Sequence, residues 1–227
     1  MSLTLYYLPG SQPSRSVQAL LELLDIKYEK KEVDLPKQEH KTPEYLAINP
    51  MGTIPAIDDA GFKLWESEAI MKYLINSRKV GESYYPSDPK VRAYIDRYFP
   101  YHHQTFRPKL CKYFHLQYYF LFPQENFDNK EQIINEAQGV VKTFEDIFLK
   151  GSKYISGDSL TIADLLAVNE LTQVYYTTDF DFTKYPRVKE YIERCLENPV
   201  ILQVNQEIKK FPEMIKNFLA SQKKTEA

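Results

Sequence analysis

The 227-residue chain predicts an α/β domain followed by an all-helical domain. Three observations carry this reading. Strand and helix signals alternate from residue 1 to about 78, no convincing strand pair follows Asp88, and a polar stretch containing Gly and Pro, "VGESYYPSDP", lies between. The predicted division is 1–78, a linker at 79–87, and 88–227.

The first half opens with "LTLYYL", a short β-prone run. "PSRSVQALLELLD" then places Val17, Leu20, Leu21 and Leu24 at helical spacing, with Pro13 suited to a first helical turn. "KYEKKEVDL" reads as extended. In "TPEYLAINP", Thr42 is an N-cap, Pro43 occupies the first helical position, and Asn49-Pro50 is the stop. "TIPAIDDAGFKLWE" reads as a hairpin with Asp59, Ala60 and Gly61 in its turn, and "SEAIMKYLINSRK" as a helix. The order β-α-β-α-β-β-α needs one parallel crossover and adds an antiparallel edge.

In the second half, Asp88-Pro89 caps a long helix, which Pro100 and Pro108 should kink or interrupt. "NKEQIINEAQGVVKTFEDIFL" is helical, with Ile133, Ile134, Val140, Val141, Phe144 and Ile147 on its apolar side. "TIADLLAVNELTQVYY" opens with Thr161 and Asp164 at capping-box spacing, Asp replacing the usual Glu. "YPRVKEYIERCLENP" and "PVILQVNQEIKKF" complete the body, separated at Asn198-Pro199. The polar end "SQKKTEA" reads as frayed and matches no retention or prenylation signal.

Composition excludes several classes. A net charge of −2 and a pI near 6.1 give no pull toward nucleic acid or anionic membrane. No apolar run approaches the ~18 residues of a span, and "MSLTLYYLPG" has no signal-peptide features. The two cysteines, Cys111 and Cys195, lie in helical segments, so a reduced, cytoplasmic protein without a disulfide framework is expected.

The histidines are His40, His102, His103 and His115. The adjacent pair points about 100° apart on a helix, and no CxxC or HExxH spacing occurs, so no metal site is expected. Neither phosphate-binding glycine pattern is present. Ser11 lies in "PGSQP", which is not the GxSxG setting of a nucleophilic serine. Three turns remain: Ser11 before the first helix, Pro55 in "TIPAI", and Glu66-Ser67 opening "ESEAI". Taken singly, each fits a structural role: a turn serine, an edge-strand proline, a helix cap.

Taken together, "YYLPGSQPSRSV", "INPMGTIPAIDDAGFKLWESEAI" and "SGDSLTIADL" resemble, in order and spacing, the cytosolic glutathione transferases over nearly the full chain. The likeness is to the theta, delta and epsilon group, whose active residue is a serine. The resemblance implies a thioredoxin-like N-terminal domain and an all-α C-terminal domain. It implies glutathione as co-substrate, no tightly bound cofactor, a small hydrophobic electrophile and a cytoplasmic homodimer, with neither nucleic acid nor membrane as partner. The activity implied is conjugation, with dehalogenation or peroxide reduction as related reactions. A glutathione-dependent isomerase and a non-catalytic binding or scaffold protein are the alternatives.

The resemblance also assigns residues. Ser11 supports the glutathione thiolate, and Tyr7, near the position of the tyrosine classes, becomes a packing residue. A free thiol has a pKa of about 8.5, so a hydroxyl donor and a helix N-terminus aimed at sulfur favour the reactive anion. Pro55 resembles the family's cis-proline, which turns the backbone of Ile54, after Thr53, toward the cysteinyl peptide. Glu66 and Ser67 match the pair at the γ-glutamyl end. His40 and Lys41 sit where related enzymes hold the glycyl carboxylate. Gly52 and Thr53 depart from the His and Lys common in delta-type and theta-type relatives, which places more weight on His40 and Lys41. Arg107, with Gln104 as a weaker neighbour, matches the electrophile side within "RYFPYHHQTFRPKLCKYFHLQYYFLF". Thr161 and Asp164 match the family's folding cap and are read as structural.

Overall fold

A four-stranded mixed sheet in the order β2-β1-β3-β4 organises the first part of the chain. The computed structural model describes residues 2–225. Strand β1 (Leu3–Tyr7) pairs in parallel with β2 (Glu29–Glu32) and antiparallel with β3 (Ala56–Asp59), which pairs with β4 (Phe62–Trp65). The predicted parallel crossover and antiparallel edge are both present. Leu3 and Leu5 are buried on alternate β1 positions, as period-two geometry requires.

Helix α1 (Gln12–Leu23) makes the crossover and buries Val17, Leu20 and Leu21. Helix α2 (Pro43–Leu46) is capped by Thr42, whose hydroxyl accepts from Tyr45 N. It ends short of the expected stop, because Asn49 is taken into a turn: Asn49 Oδ1 accepts from Met51 N at 3.0 Å. The hairpin turn is narrower than expected. Only Ala60 and Gly61 form it, both at positive φ, while Asp59 ends β3 and is buried against Arg78 and Tyr73. Helix α3 (Ser67–Arg78) packs Ile70, Met71 and Leu74 into the core.

The second part is helical among the described residues, apart from an isolated bridge between Tyr154 and Gly157. Asp88 caps α4 (Pro89–Asp96) through Lys90 N and Val91 N. The run continues as α5 (Tyr98–Tyr101), a π-helical turn at His102–Phe106, and α6 (Arg107–Gln117). Thus the interruption expected from Pro100 and Pro108 is a widened turn between the two prolines. Helix α7 (Lys130–Thr143) runs into a second π turn, Phe144–Phe148. That turn rotates the register: Phe148 is buried, while Ile147, expected on the apolar side, is 57% exposed.

Helix α8 (Ile162–Thr177) is buried almost all round and forms the axis of this part, packing against α1 and α6. The Thr161–Asp164 capping box is formed. Helices α9 (Pro186–Leu196), α10 (Pro199–Val204) and α11 (Gln206–Thr225) follow, with Asn198 capping α10. The helix thus reaches Thr225 through most of the end read as frayed, and the rest of that end lies outside the described residues.

Candidate active site

Two adjoining cavities open where the sheet-bearing part meets the helical part. The larger, about 940 Å³, is lined by Ser11, Gln12 and Ile54 on one side and by Arg107, Cys111, Phe114 and Phe211 on the other. The smaller, about 220 Å³, is lined by Thr53, Ile54, Pro55, Glu66, Ser67, His102, His103 and Arg107. Pro13, Ile54, His103 and Arg107 belong to both, so one continuous cleft is defined.

Ser11 is the N-cap of α1. Its Oγ accepts from Ser14 N at 3.4 Å, which occupies a lone pair and leaves the hydroxyl proton free to donate. The positive end of the α1 dipole lies at the same point. Tyr7 lines neither cavity and packs, half-buried, against the core. Burial, with Glu32 and Glu207, raises its phenol pKa.

The segment before β3 is held from behind. Tyr45 OH and Asn49 Nδ2 both donate to Thr53 O at 2.6 Å. The Ile54-Pro55 peptide is cis. Glu66, immediately before α3, adopts φ +68°, uncommon for a residue with a side chain; such outliers gather at ligand sites. Its side chain is exposed and makes no cap bond, whereas Ser67 is buried at the α3 N-terminus.

His40 and Lys41 line neither cavity but adjoin the loop leading to Thr53. At Gly52, a Cβ would lie 2.8 Å from Lys41 Nζ and 2.9 Å from His40 O, at φ +61°. Glycine there permits the close approach, which accounts for one departure from the family pattern. His40 Nδ1 is buried without a hydrogen-bond partner. With the ring proton on Nδ1, it would donate to an anionic group at this loop. Gln104 is exposed on the π turn and lines neither cavity, so it is not brought together with Arg107.

Beneath the larger cavity lies a polar cluster that the sequence reading missed. Glu170, on α8 and 1% exposed, accepts from Arg107 at 2.6 Å, Gln12 Nε2 at 3.2 Å and Cys111 Sγ at 3.3 Å. Burial would lower the Arg107 pKa, but Glu170 outweighs it and the guanidinium stays charged. Burial and Glu170 push the Cys111 thiol up, which disfavours its nucleophilic thiolate. Fully buried Arg15 bonds to Asn169 O and Gln173 at 2.9 Å and to Asn205, joining α1 to α8. Burial lowers its pKa to about 9. A signal for this cluster existed: after Asp164, Glu170 is the one charged residue in "LLAVNELTQVYY". Apolar walls complete the cavity, including Phe122, stacked on His115 at 3.7 Å between centroids.

The arrangement defines a two-part enzyme, with a polar cleft on a thioredoxin-like part and an apolar cavity against helices. Residues 1–76 match the model of the glutathione S-transferase N-terminal domain, and residues 110–207 that of the C-terminal domain. The solved structures it resembles include glutathione transferase E6 from Drosophila melanogaster, at 30% identity over 94% of this chain and 95% of that one, TM-score 0.81. A diazinon-metabolizing glutathione S-transferase of the silkworm, Bombyx mori, is 26% identical over 93% and 100%, TM-score 0.84. Human glutathione transferase theta-2, solved with glutathione, is 28% identical over 93% and 89%, TM-score 0.85. The chain belongs to the glutathione S-transferase family and is a glutathione transferase.

Proposed function

We propose that this enzyme conjugates glutathione to small hydrophobic electrophiles, with Ser11 as hydrogen-bond donor to the thiolate. The observation that carries this reading is the position of Ser11 at the mouth of α1, lining the larger cavity while Tyr7 lines neither. In this reading Ser67 and Glu66 hold the γ-glutamyl end, the first at a helix N-terminus suited to a carboxylate. The Thr53-Ile54-Pro55 backbone pairs with the cysteinyl peptide. His40 and Lys41 take the glycyl carboxylate, which the unpartnered His40 Nδ1 favours.

The electrophile lies against Phe114, Phe122, Phe211 and Ile208, with the Arg107 charge matched by Glu170. An apolar wall over a neutralised cation suits uncharged aromatic or alkyl substrates. The diazinon-metabolizing silkworm relative supports that class. The division at residues 79–87, a homodimeric assembly and a cytoplasmic setting are part of the same proposal. Purified protein tested on a panel of neutral electrophiles should turn over at least one of them only with glutathione. Folded protein that binds glutathione yet turns over none would favour a binding or scaffold role.

A further inference from the structure

His103 stands where the two cavities meet, lining both. Ser67 lines the smaller cavity and Ser11 the larger, so a peptide reaching from one to the other spans the junction that His103 borders. The His103 side chain keeps 37% exposure, and its Nε2 lies 3.4 Å from Glu68 Oε2 in the first turn of α3. Glu68 is also paired with Lys72 at 2.7 Å. Burial would raise the Glu68 pKa, but hydrogen bonds and charge from His103 and Lys72 outweigh it and hold the carboxyl below its ordinary value. Glu68 is therefore ionised at neutral pH and faces His103 Nε2 across 3.4 Å, which fixes the side of the ring that turns to α3.

The neighbouring groups are engaged elsewhere. His102 is buried, faces the Tyr98 hydroxyl at 3.0 Å, and is driven well below its usual pKa by burial. Lys72 lies between Glu68 and Asp96, and Arg107 is committed to Glu170.

We propose that His103, oriented by Glu68, accepts the thiol proton of bound glutathione. The proposal rests on the glutathione-binding reading above. The S–H bond breaks, both electrons stay on sulfur, and the proton moves to Nδ1. The resulting imidazolium faces the Glu68 carboxylate. The thiolate attacks the electrophilic carbon, the leaving group departs with its bonding pair, and the imidazolium returns the proton to it or to water. Ser11 donates to sulfur; His103 removes its proton.

The test uses the full chain with glutathione as probe. Thiolate absorbance and turnover are followed against pH for wild type, His103→Gln and Glu68→Gln. His103→Gln should raise the apparent pKa of the bound thiol by about one unit and lower turnover at pH 7 about tenfold. The deficit should narrow toward pH 9, with the glutathione KM changed less than about threefold, whereas a purely structural loss would lower turnover equally at every pH. Glu68→Gln keeps the imidazole and should shift the titration the same way by less. An unshifted titration in His103→Gln that still binds glutathione overturns the proposal and leaves the glutathione site standing. If that variant fails to fold, an unshifted Glu68→Gln overturns it instead. Failure of wild type to bind glutathione overturns both readings.

Discussion

Asp164→Ala should destabilise this protein more than the loss of an ordinary helix cap. The Asp164 carboxylate accepts from Ile155 N at 2.9 Å, Thr161 N at 2.8 Å, Thr161 Oγ1 at 2.8 Å and Tyr191 OH at 3.1 Å. Ile155, Thr161 and Tyr191 are buried, and Tyr191 OH keeps the Asp164 backbone carbonyl as acceptor at 3.4 Å, so truncation leaves three donors, Ile155 N, Thr161 N and Thr161 Oγ1, without their partner. Each costs about 1–3 kcal/mol. Against this stands the cost of the buried charge, since burial pushes the Asp164 carboxyl from 3.8 up to about 6. That shift corresponds to roughly 3 kcal/mol at neutral pH. The net loss spans about 0–6 kcal/mol and centres near 3, above the ~0.5–2 kcal/mol of a cap alone.

The same shift fixes a pH dependence. A carboxyl whose folded pKa exceeds its unfolded value binds more protons when folded, so its contribution is greatest below the window and falls as pH rises from about 4 to 6. Asp164→Asn removes that titration and should flatten the fall. Urea unfolding of wild type and both variants from pH 4 to 8, beside turnover per folded molecule, measures the effect. An Asp164→Ala variant more stable than wild type would refute the reasoning, because three unpaired donors at about 1 kcal/mol each already match the relief of the buried charge. An unchanged pH slope in Asp164→Asn would also refute it, and loss of turnover at intact stability would assign the residue a catalytic role.

Two further outcomes bear on the site. Ser11→Ala should raise the pKa of bound glutathione thiol by about one to two units, the equivalent of a ~1.5–3 kcal/mol bond to a charged group. Tyr7→Phe should leave that titration in place; the reverse pattern in thiolate absorbance would move the enzyme to the tyrosine mechanism. Ser67→Ala should weaken glutathione binding by roughly 1–3 kcal/mol in calorimetry, and unchanged affinity would remove Ser67 from the γ-glutamyl site.

Much of the architecture was legible because its signals are local. Thr42, Asp88 and Thr161 cap helices where the sequence predicts, since a cap depends on the side chain and the next three backbone amides. Alternation in β1 and the apolar stripe of α1 likewise need only neighbours. The misplacements arose where a distant contact or a changed turn intervened. Asp59 leaves the turn because Arg78 and Tyr73 hold it, and Ile147 leaves the core because a π turn rotates the helix.

The amino-acid order by itself determined the two-part fold, the family and the positions of Ser11, Pro55, Glu66 and Ser67, because each sits in a short motif at an element boundary. Tertiary structure decided which hydroxyl of the opening stretch faces a cavity. It also decided that Gln104 stands apart from Arg107, and that Glu170 and His103 lie under and beside the cleft. Glu170 reaches Gln12 and Arg107 only when α8 packs against α1 and α6, and His103 meets Glu68 only where the π turn abuts α3. Those pairs are far apart along the chain, and no periodicity or motif spacing encodes a contact that arises from packing one helix against another.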